Sequence, residues 1–150
     1  MRTDEESRPI RRDGGRTGVT HRVIIPCVPS EACSPNTRQH WARRAKAVRE
    51  LRRAAWAAGC NARPRQPYTG RVLLEARIGW PKGRRVLDRS NAAASLKGAL
   101  DGLQDAGWFG GDDREVDVIV VEQMTWGKLD AGTRALYPGG FVVVEVTRHD

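Results

Sequence analysis

The sequence has little cysteine, little histidine and few aromatic residues. Its 150 residues include 3 Cys and 3 His, and Phe, Trp and Tyr together make up 6%. Cys27, Cys33 and Cys60 form neither an even disulfide set nor a C-x-x-C pair, so we expect small buried thiols in a reducing cytoplasm. A zinc site built from Cys27, Cys33 and His40 would lack a fourth ligand.

Long apolar runs are also absent. No stretch is long enough to cross a bilayer, and the N-terminus carries charges without the apolar core of a secretory signal. We therefore expect a cytoplasmic protein with no membrane partner. Residues 1–22 are polar, charged and contain glycine, which predicts a disordered basic arm ahead of a single domain at 23–150.

Positive charge is what the chain has in excess. Lys and Arg total 26 against 18 Asp and Glu, which gives a formal net charge of +8. A basic domain of this size favours a polyanionic partner, and nucleic acid is the commonest one. A basic surface without a specific partner is the alternative.

The first half of the chain predicts a strand and then a helix. The apolar run Val23–Val28 is broken by proline, as in an edge strand. The expected helix follows; its candidate capping residues are Ser34, Asn36 and Thr37, and Pro35 suits its first turn. Apolar residues then recur at helical spacing at Trp41, Ala45, Val48, Leu51 and Ala55. Gly59 is the predicted end of this helix.

The second half predicts three more strands and one more helix. Strands are expected at Arg71–Trp80, at Val116–Met124, which is apolar enough to be central, and at "GFVVVEVT". A helix over Ser90–Asp105 has Leu96, Leu100 and Leu103 on its core face and ends before Gly107. The stretch "TWGKLDAGTRALYPGG" is expected to be a long loop. The order β-α-β-α-β-β predicts an α/β (α+β) fold, a small mixed sheet of about four strands with two main helices.

Basic residues cluster on the first helix and in the "PKGRR" connection that follows the second strand. They are candidates for contact with DNA phosphates, although a solvated helix face would have the same pattern. The candidates are Arg43, Lys46, Arg49, Arg53, Lys82, Arg84 and Arg85.

Acidic residues flank the second helix. Asp88 precedes it, and Asp112 and Asp113 lie in the Gly-flanked turn after it. Carboxylates of this kind can share Mg²⁺, which activates water and stabilises charge on a phosphodiester. Lys97 would contact a phosphate. For Asp88 to share a metal ion with Asp112 and Asp113, the chain must return along a helix about 25 Å long. The alternative interpretation is that Asp88 or Ser90 caps the helix and that "GGDD" is a polar turn.

The stretch "RRVLDRSNAAASLKGALDGLQDAGWFGGDDREV" resembles the RusA family of Holliday-junction resolvases. The family pattern is a basic run, D-x-D-N at the start of a helix, K-x-x-x-D-G-L-x-D-A-G, an Asp-Asp turn and a strand. The K-x-x-x-D-G-L-x-D-A-G motif is matched in register by Lys97, Asp101, Gly102, Leu103, Asp105, Ala106 and Gly107. "IPCVPSEACSPNTRQHWARRAK" is similar to the family's first strand and helix entry, so the resemblance covers residues 22–147.

The resemblance implies a homodimeric, Mg²⁺-dependent endonuclease of bacterial or phage origin, with Mn²⁺ as a possible substitute metal. It would bind four-way DNA junctions and cut them in symmetric pairs during recombination and repair. Asp88 matches the first motif aspartate and Asn91 the asparagine. Asp113, with Asp112 beside it, matches the acids of the turn, and Lys97 matches the helical lysine.

The sequence departs from this pattern at Ser90, which occupies the place of the second motif aspartate. Shifting the register by two residues instead puts Val86 in the first place. Glu75, in the middle of its strand, would compensate if its side chain points to the same edge. Two alternatives therefore stand beside the nuclease: a catalytically impaired module that binds junction or duplex DNA, and a basic protein-interaction domain.

Overall fold

Four strands form one mixed sheet. The computed structural model describes residues 20–31, 41–110 and 115–148. The strands are β1 His21–Ile25, β2 Arg71–Gly79, β3 Glu115–Met124 and β4 Phe141–Arg148. Their order across the sheet is β1-β4-β2-β3, with β4 antiparallel to both neighbours and β2 parallel to β3. The predicted α+β fold with a four-stranded mixed sheet is therefore confirmed.

Three helices pack on one face of this sheet: α1 Trp41–Asn61, α2 Arg89–Ser95 and α3 Lys97–Asp105. The short α4 Ala131–Leu136 belongs to a segment on the other face. On β2, the side chains of Val72, Leu74, Ala76 and Ile78 are all buried in the main core with residues of α1, α2 and α3. Because side chains alternate along a strand, Glu75 and Arg77 face the other side. Within the described ranges, no helix is long and apolar enough to span a membrane.

The prediction that Val116–Met124 is a central strand was wrong. These residues belong to β3, which lies at the edge of the sheet. Of the ten residues of β3, only Val120 is buried. An apolar run predicts burial on both faces, but α2 and α3 cover only one face here. The central strands are β2 and β4.

The second helix is interrupted at Leu96. Leu96 N donates to Ala93 O at 3.2 Å, an i→i−3 bond that tightens the end of α2, and α3 begins at the next residue. Gly107 has φ +88°, which confirms it as the residue that closes the helical segment.

Gly59 does not end α1, contrary to the prediction, because α1 continues to Asn61. A Cβ at Gly59 would lie 3.0 Å from both Ala106 Cβ and Leu103 Cδ2. Its small size therefore serves helix packing, which the spacing of apolar residues alone did not reveal. The candidate caps Ser34, Asn36 and Thr37 lie outside the described residues, as does Pro35, which was expected in the first turn.

The predicted long loop after β3 contains ordered structure. It holds a 3₁₀ turn, Trp126–Lys128, and α4, which Asp130 caps by accepting from Thr133 N at 2.7 Å. This segment packs on the sheet face away from α1. The small core there consists of Met124, Trp126, Leu129, Tyr137, Phe141 and Val143. The prediction missed α4 because its six residues give too short a periodic pattern.

The predicted arm at 1–22 and the predicted domain at 23–150 can be compared with the structure from residue 20 onward. Residues 1–19 of the expected arm lie outside the described part, while His21 and Arg22 belong to β1, so the domain begins earlier than residue 23. Cys27 is partly buried, whereas Cys60 is an exposed free thiol. The expectation of a buried thiol was therefore wrong for Cys60. Cys33 and His40 lie outside the described residues.

Close approach of α1 and α3 depends on glycine. A Cβ at Gly102 would lie 2.2 Å from Arg52 O, and one at Gly98 would lie 3.0 Å from Val48 O.

One turn beyond Gly102, Asp105 accepts from Arg52 Nε at 2.6 Å and from Arg52 Nη2 at 2.9 Å. This pairing lowers the pKa of the Asp105 carboxyl, so the pair stays ionised near neutral pH and is lost as pH falls into the acid range.

We expect Gly102→Ala to destabilise the fold. The added methyl clashes with the α1 backbone, and overpacking of this kind costs about 1–3 kcal/mol even though alanine is the better helix former. Urea unfolding would measure the loss. Gly139→Ala is the matched control, because nothing lies within 4 Å of a Cβ there; equal stability of the two variants would contradict this packing role.

Candidate functional site

The candidate site lies at the end of the sheet where the parallel strands β2 and β3 both finish. Ligands of open α/β sheets commonly bind outside the carboxyl ends of strands. At this end Trp80 N donates to Met124 O at 2.9 Å, which ties together the two chain segments that leave the strands. The segment after β2 leads to Asp88 and α2, and the segment after β3 leads to Lys128.

Gln123 fixes the backbone of Leu87, the residue before Asp88. Its side-chain amide accepts from Leu87 N at 3.0 Å and donates to Leu87 O at 2.8 Å. The same oxygen accepts from the buried Trp80 indole at 3.0 Å. One side chain of β3 thus satisfies both backbone groups of the residue before Asp88, which sets where α2 begins.

Asp88 is the N-cap of α2. Its Oδ1 accepts from Asn91 N at 2.8 Å, and its Oδ2 accepts from Asn91 Nδ2 at 2.5 Å. Of the two capping alternatives in the sequence, the structure shows Asp88 in this role and places Ser90 within the exposed first turn. Because Asp88 itself is exposed, its carboxylate is held in one orientation and still faces solvent.

Two of the three basic residues in the "PKGRR" connection are exposed beside this end. Arg84 N donates to Pro81 O at 3.2 Å across a turn in which Gly83 has φ +85°, as a type II turn requires. Lys82 lies at the tip of this turn and is exposed, as is Arg85.

Arg84 is engaged within the fold. Its side chain is only 17% exposed, stacks over the Trp80 ring at 4.6 Å and donates to Pro29 O at 3.0 Å. An ion pair with Glu31 at 3.9 Å adds to these contacts. The prediction that Arg84 binds DNA is therefore not supported by its surroundings, and its position indicates that it fixes the connection.

The basic residues of α1 are all exposed, as predicted. Arg49 and Arg53 lie one helical turn apart, and Lys46 pairs loosely with Glu50 at 4.0 Å. Gly98 of α3 lies against Val48, and Gly102 lies farther along against Arg52. Since α1 and α3 therefore run in the same direction, the N-terminal half of α1, which includes Arg43, lies toward the Asp88 end of the sheet.

Two of the predicted site residues do not converge on Asp88. Lys97 is exposed at the start of α3, nine residues along the helical segment and so about 13 Å away by helical rise. Glu75 is buried on the sheet face opposite α2, where its cross-strand partner is Glu145. Glu75 therefore does not replace the acid that is missing at Ser90.

Asp112 and Asp113 lie outside the described residues, but the residues on either side of their turn are described. Gly110 N donates to Tyr68 O at 2.9 Å, and Glu115 N donates to Gly70 O at 3.0 Å. Both flanks are thus at the amino end of β2. Asp88 is at the other end, beyond the length of β3, which is about 30 Å for a strand of this size.

Among the described residues, no group of three His, Cys, Asp or Glu side chains is placed to hold a metal ion. Asp88 offers one exposed carboxylate, which is a suitable oxygen ligand for Mg²⁺. The other predicted ligands, Asp112 and Asp113, belong to the part of the chain that the structure does not describe.

Two residues near the site were missed in the sequence. Gln123 could have been noticed as the one uncharged polar side chain in a strand whose other polar residues are acidic, although nothing in the spacing links it to Leu87. Lys128 is exposed in the 3₁₀ turn after β3. It was overlooked because its segment was predicted to be a loop.

Comparison with known proteins gives no functional assignment. No family model matches the chain. An uncharacterized protein of Xylella fastidiosa (strain Temecula1 / ATCC 700964) is 38% identical over 94 residues, which cover 57% of this chain. The match covers 56% of that relative, so the chain spans about half the length of the curated protein it matches.

We expect Gln123→Ala to loosen the segment before α2. The variant leaves the Trp80 indole and both backbone groups of Leu87 without their partner, which costs about 1–3 kcal/mol of unfolding free energy. Hydrogen exchange should accelerate at the Leu87 amide, and urea unfolding gives the stability change. Gln104→Ala, at a partly buried position near the end of α3, is the control. Unchanged exchange at Leu87 in Gln123→Ala would contradict the role of Gln123.

Proposed function

We propose that this chain is a structure-selective endodeoxyribonuclease that cuts four-way DNA junctions in symmetric pairs. The observation that carries the proposal is the exposed Asp88 carboxylate, held at the start of α2 among exposed basic side chains. It lies within the ordered motif series that resembles the RusA family. A role in recombination and repair follows from the substrate.

DNA binding rests on charge and exposure. Arg43, Arg49 and Arg53 extend along the solvent side of α1, while Lys82, Arg85 and Lys128 surround the carboxyl ends of β2 and β3. Contacts of this kind neutralise phosphates and release counterions, so affinity falls steeply with salt. They position a duplex arm without reading its sequence, as a junction-selective protein requires.

Catalysis is assigned to the acids and the helical lysine. Asp88 would be one ligand of Mg²⁺, with Mn²⁺ as a substitute, and the resemblance assigns Asp112 and Asp113, which lie outside the described residues, as further ligands. When bound, the metal ion supplies positive charge at the scissile phosphate and lowers the pKa of the attacking water. Asn91 holds the Asp88 carboxylate in place. Lys97, farther along the helical segment, would contact a phosphate of the same arm.

A homodimer fits the proposed substrate. A four-way junction has approximate two-fold symmetry, and two active sites related by a two-fold axis can cut opposing strands. Each chain would contribute one set of acids and one set of basic residues.

We expect Asp88→Asn to abolish cleavage while leaving junction binding intact. Removal of a residue that only supports a metal ligand can lower activity by up to about 100-fold. Loss of the carboxylate ligand itself should therefore lower the cleavage rate by at least about 100-fold. Single-turnover cleavage of a labelled junction in Mg²⁺ measures it. Asp105→Asn is the control, since its carboxylate pairs with Arg52 away from the site; undiminished cleavage in Asp88→Asn would contradict the assignment.

Arg49→Ala and Arg53→Ala should weaken binding to all duplex arms alike. Each variant should lower the slope of log affinity against log salt by about 0.9, because one phosphate contact is lost. Titration at several salt concentrations measures the slope. Arg71→Ala is the control, because Arg71 lies at the far end of β2 and pairs with Asp117 at 3.5 Å; equal slopes in all three variants would contradict the proposed surface.

Ser90 favours a second candidate, a module that binds junction or duplex DNA without cutting it. A hydroxyl is a weaker Mg²⁺ ligand than the carboxylate of the motif. Junction binding with no nicks in Mg²⁺ or Mn²⁺, together with cleavage gained by Ser90→Asp, would identify this module. Cleavage by the natural chain that Ser90→Asp only accelerates would support the nuclease.

A further inference from the structure

The second half of α1 exposes the ring of a tryptophan. Trp56 is 48% exposed, and the exposed part of its side chain adds nothing to the hydrophobic stabilisation of the fold. Three other tryptophans have contacts within the fold. Trp108 is buried and donates to Gly59 O at 2.9 Å, and arginine guanidinium groups stack over Trp80 and Trp126. Among the residues that the structure describes, no such hydrogen bond or stack involves the Trp56 ring.

Trp56 lies on the same side of α1 as two arginines. Arg49 and Arg53 precede it at spacings of about two turns and one turn, so the three side chains form a stripe along the helix. Both arginines are exposed, and neither forms an ion pair with an acid of the described ranges. Helical rise puts their Cα atoms about 11 and 5 Å from that of Trp56 along the axis. A flat aromatic surface thus lies beside two guanidinium groups.

The acids of α1 and α3 are paired with basic side chains. Asp105 accepts from Arg52 at 2.6 Å, and Asp101 also interacts electrostatically with Arg52. Glu50, the one acid of α1, lies 4.0 Å from Lys46. The charge along the stripe is therefore positive, as is the net charge of +8 on the whole chain. Such a surface favours an anionic ligand.

Contacts from α3 fix the part of α1 that carries Trp56. A Cβ at Gly102 would lie 2.2 Å from Arg52 O and 3.0 Å from Trp56 N, so the two helices are in backbone contact there. The hydrogen bond from Trp108 to Gly59 O holds the next turn. Because its backbone is already fixed, the Trp56 side chain loses little conformational freedom when a ligand covers it.

We propose that Trp56 is a stacking site for an unpaired DNA base, and that Arg49 and Arg53 bind the phosphates beside that base. Aromatic side chains among basic ones bind single strands in this way, because every base has a π face and every phosphate a negative charge. In a duplex these faces are covered by neighbouring base pairs, so the site selects unpaired nucleotides. The helical segment from Asp88 to Gly102 is about 21 Å long, which separates this site from the candidate metal ligand.

The stacking site deepens the proposed function, and its role at a junction rests on that function. Bases at an opened branch point are unpaired, whereas those of a linear duplex are not. Trp56 would therefore add affinity for the branch, while phosphate contacts are the same in every duplex arm.

The surroundings of Trp56 favour DNA over a membrane surface. Acidic lipids also attract arginines beside an indole, but a helix that lies in a membrane needs a broad apolar face. The apolar face of α1, with Leu51 and Ala55, is buried in the core of the domain. One partly exposed ring remains for an external ligand, which suits a single base.

Binding of single-stranded DNA tests the site without relying on cleavage. The anisotropy of a labelled oligothymidylate of about 16 nucleotides reports affinity, and a linear duplex serves as the comparison. Trp56→Ala should weaken binding of the single strand by about 5- to 100-fold, the contribution of one stacked base, and leave binding of the duplex unchanged. Leu136→Ala is the matched control, since Leu136 is a 74% exposed apolar residue of α4, and it should bind both DNAs as the natural chain does.

Two further variants distinguish stacking from simple burial of apolar surface. Trp56→Phe keeps an aromatic face and should retain most of the affinity for the single strand. Trp56→Leu keeps apolar area alone and should bind as weakly as Trp56→Ala, with unchanged circular dichroism in all three. Unchanged affinity in Trp56→Ala, or equal affinity of Trp56→Leu and the natural chain, would overturn the proposal.

Should the variants fail to fold, photo-crosslinking of the natural chain decides. An oligothymidylate that carries 5-iodouracil should crosslink to Trp56, as mass spectrometry of the peptides would show. Crosslinks confined to other residues would overturn the site. So would binding of phosphatidylserine–phosphatidylcholine vesicles by a chain that does not bind the oligothymidylate.

The stacking site and the nuclease can fail separately. Binding of the single strand that depends on Trp56, in a chain that cuts no junction, supports the site and contradicts the proposed function. Junction cleavage by a chain without affinity for the single strand overturns the site and leaves the proposed function standing.

Discussion

The parallel pairing of β2 with β3 is the constraint on which the rest of the structure depends. Two neighbouring parallel strands require the chain to cross back along the whole sheet between them. Here α2 and α3 make that crossing, so the residues that begin it and those that follow it must lie at opposite ends of β3. Asp88 is therefore fixed at the carboxyl end and Glu115 at the amino end.

The packing of α3 against α1 determines where the basic face of α1 lies relative to Asp88. Gly102 lets α3 approach the α1 backbone closely, and the Arg52–Asp105 pair holds the two helices together farther along. As a result α1 runs parallel to α3, and its exposed basic face extends from the Asp88 end along the domain. At that end Gln123 sets the start of α2 through the backbone of Leu87. The acid and the basic surface are thus positioned by the same set of contacts.

Local signals in the sequence predicted the fold well, and long-range contacts explain what they missed. The apolar periodicity located the strands and α1, and Gly107 was correctly predicted to end the second helix because it needs a positive φ. Gly59 was misread because its role depends on α3, which is distant in sequence. The edge position of β3 and the engagement of Arg84 with Trp80 likewise depend on which elements become neighbours. A motif made Asp88 a candidate ligand, and that assignment stays a prediction. Gln123 acts through a side-chain bond to a backbone 36 residues away, which no spacing rule predicts.

The most direct measurement is cleavage of a synthetic four-way junction by the natural chain in Mg²⁺, with both pairs of opposing strands labelled and a linear duplex of the same sequence alongside. A junction-selective nuclease should leave nicks at symmetric positions in two opposing strands of the junction, none in the linear duplex, and none when Mg²⁺ is removed. Equal cutting of linear duplex and junction, or junction binding without nicks in either Mg²⁺ or Mn²⁺, would contradict it.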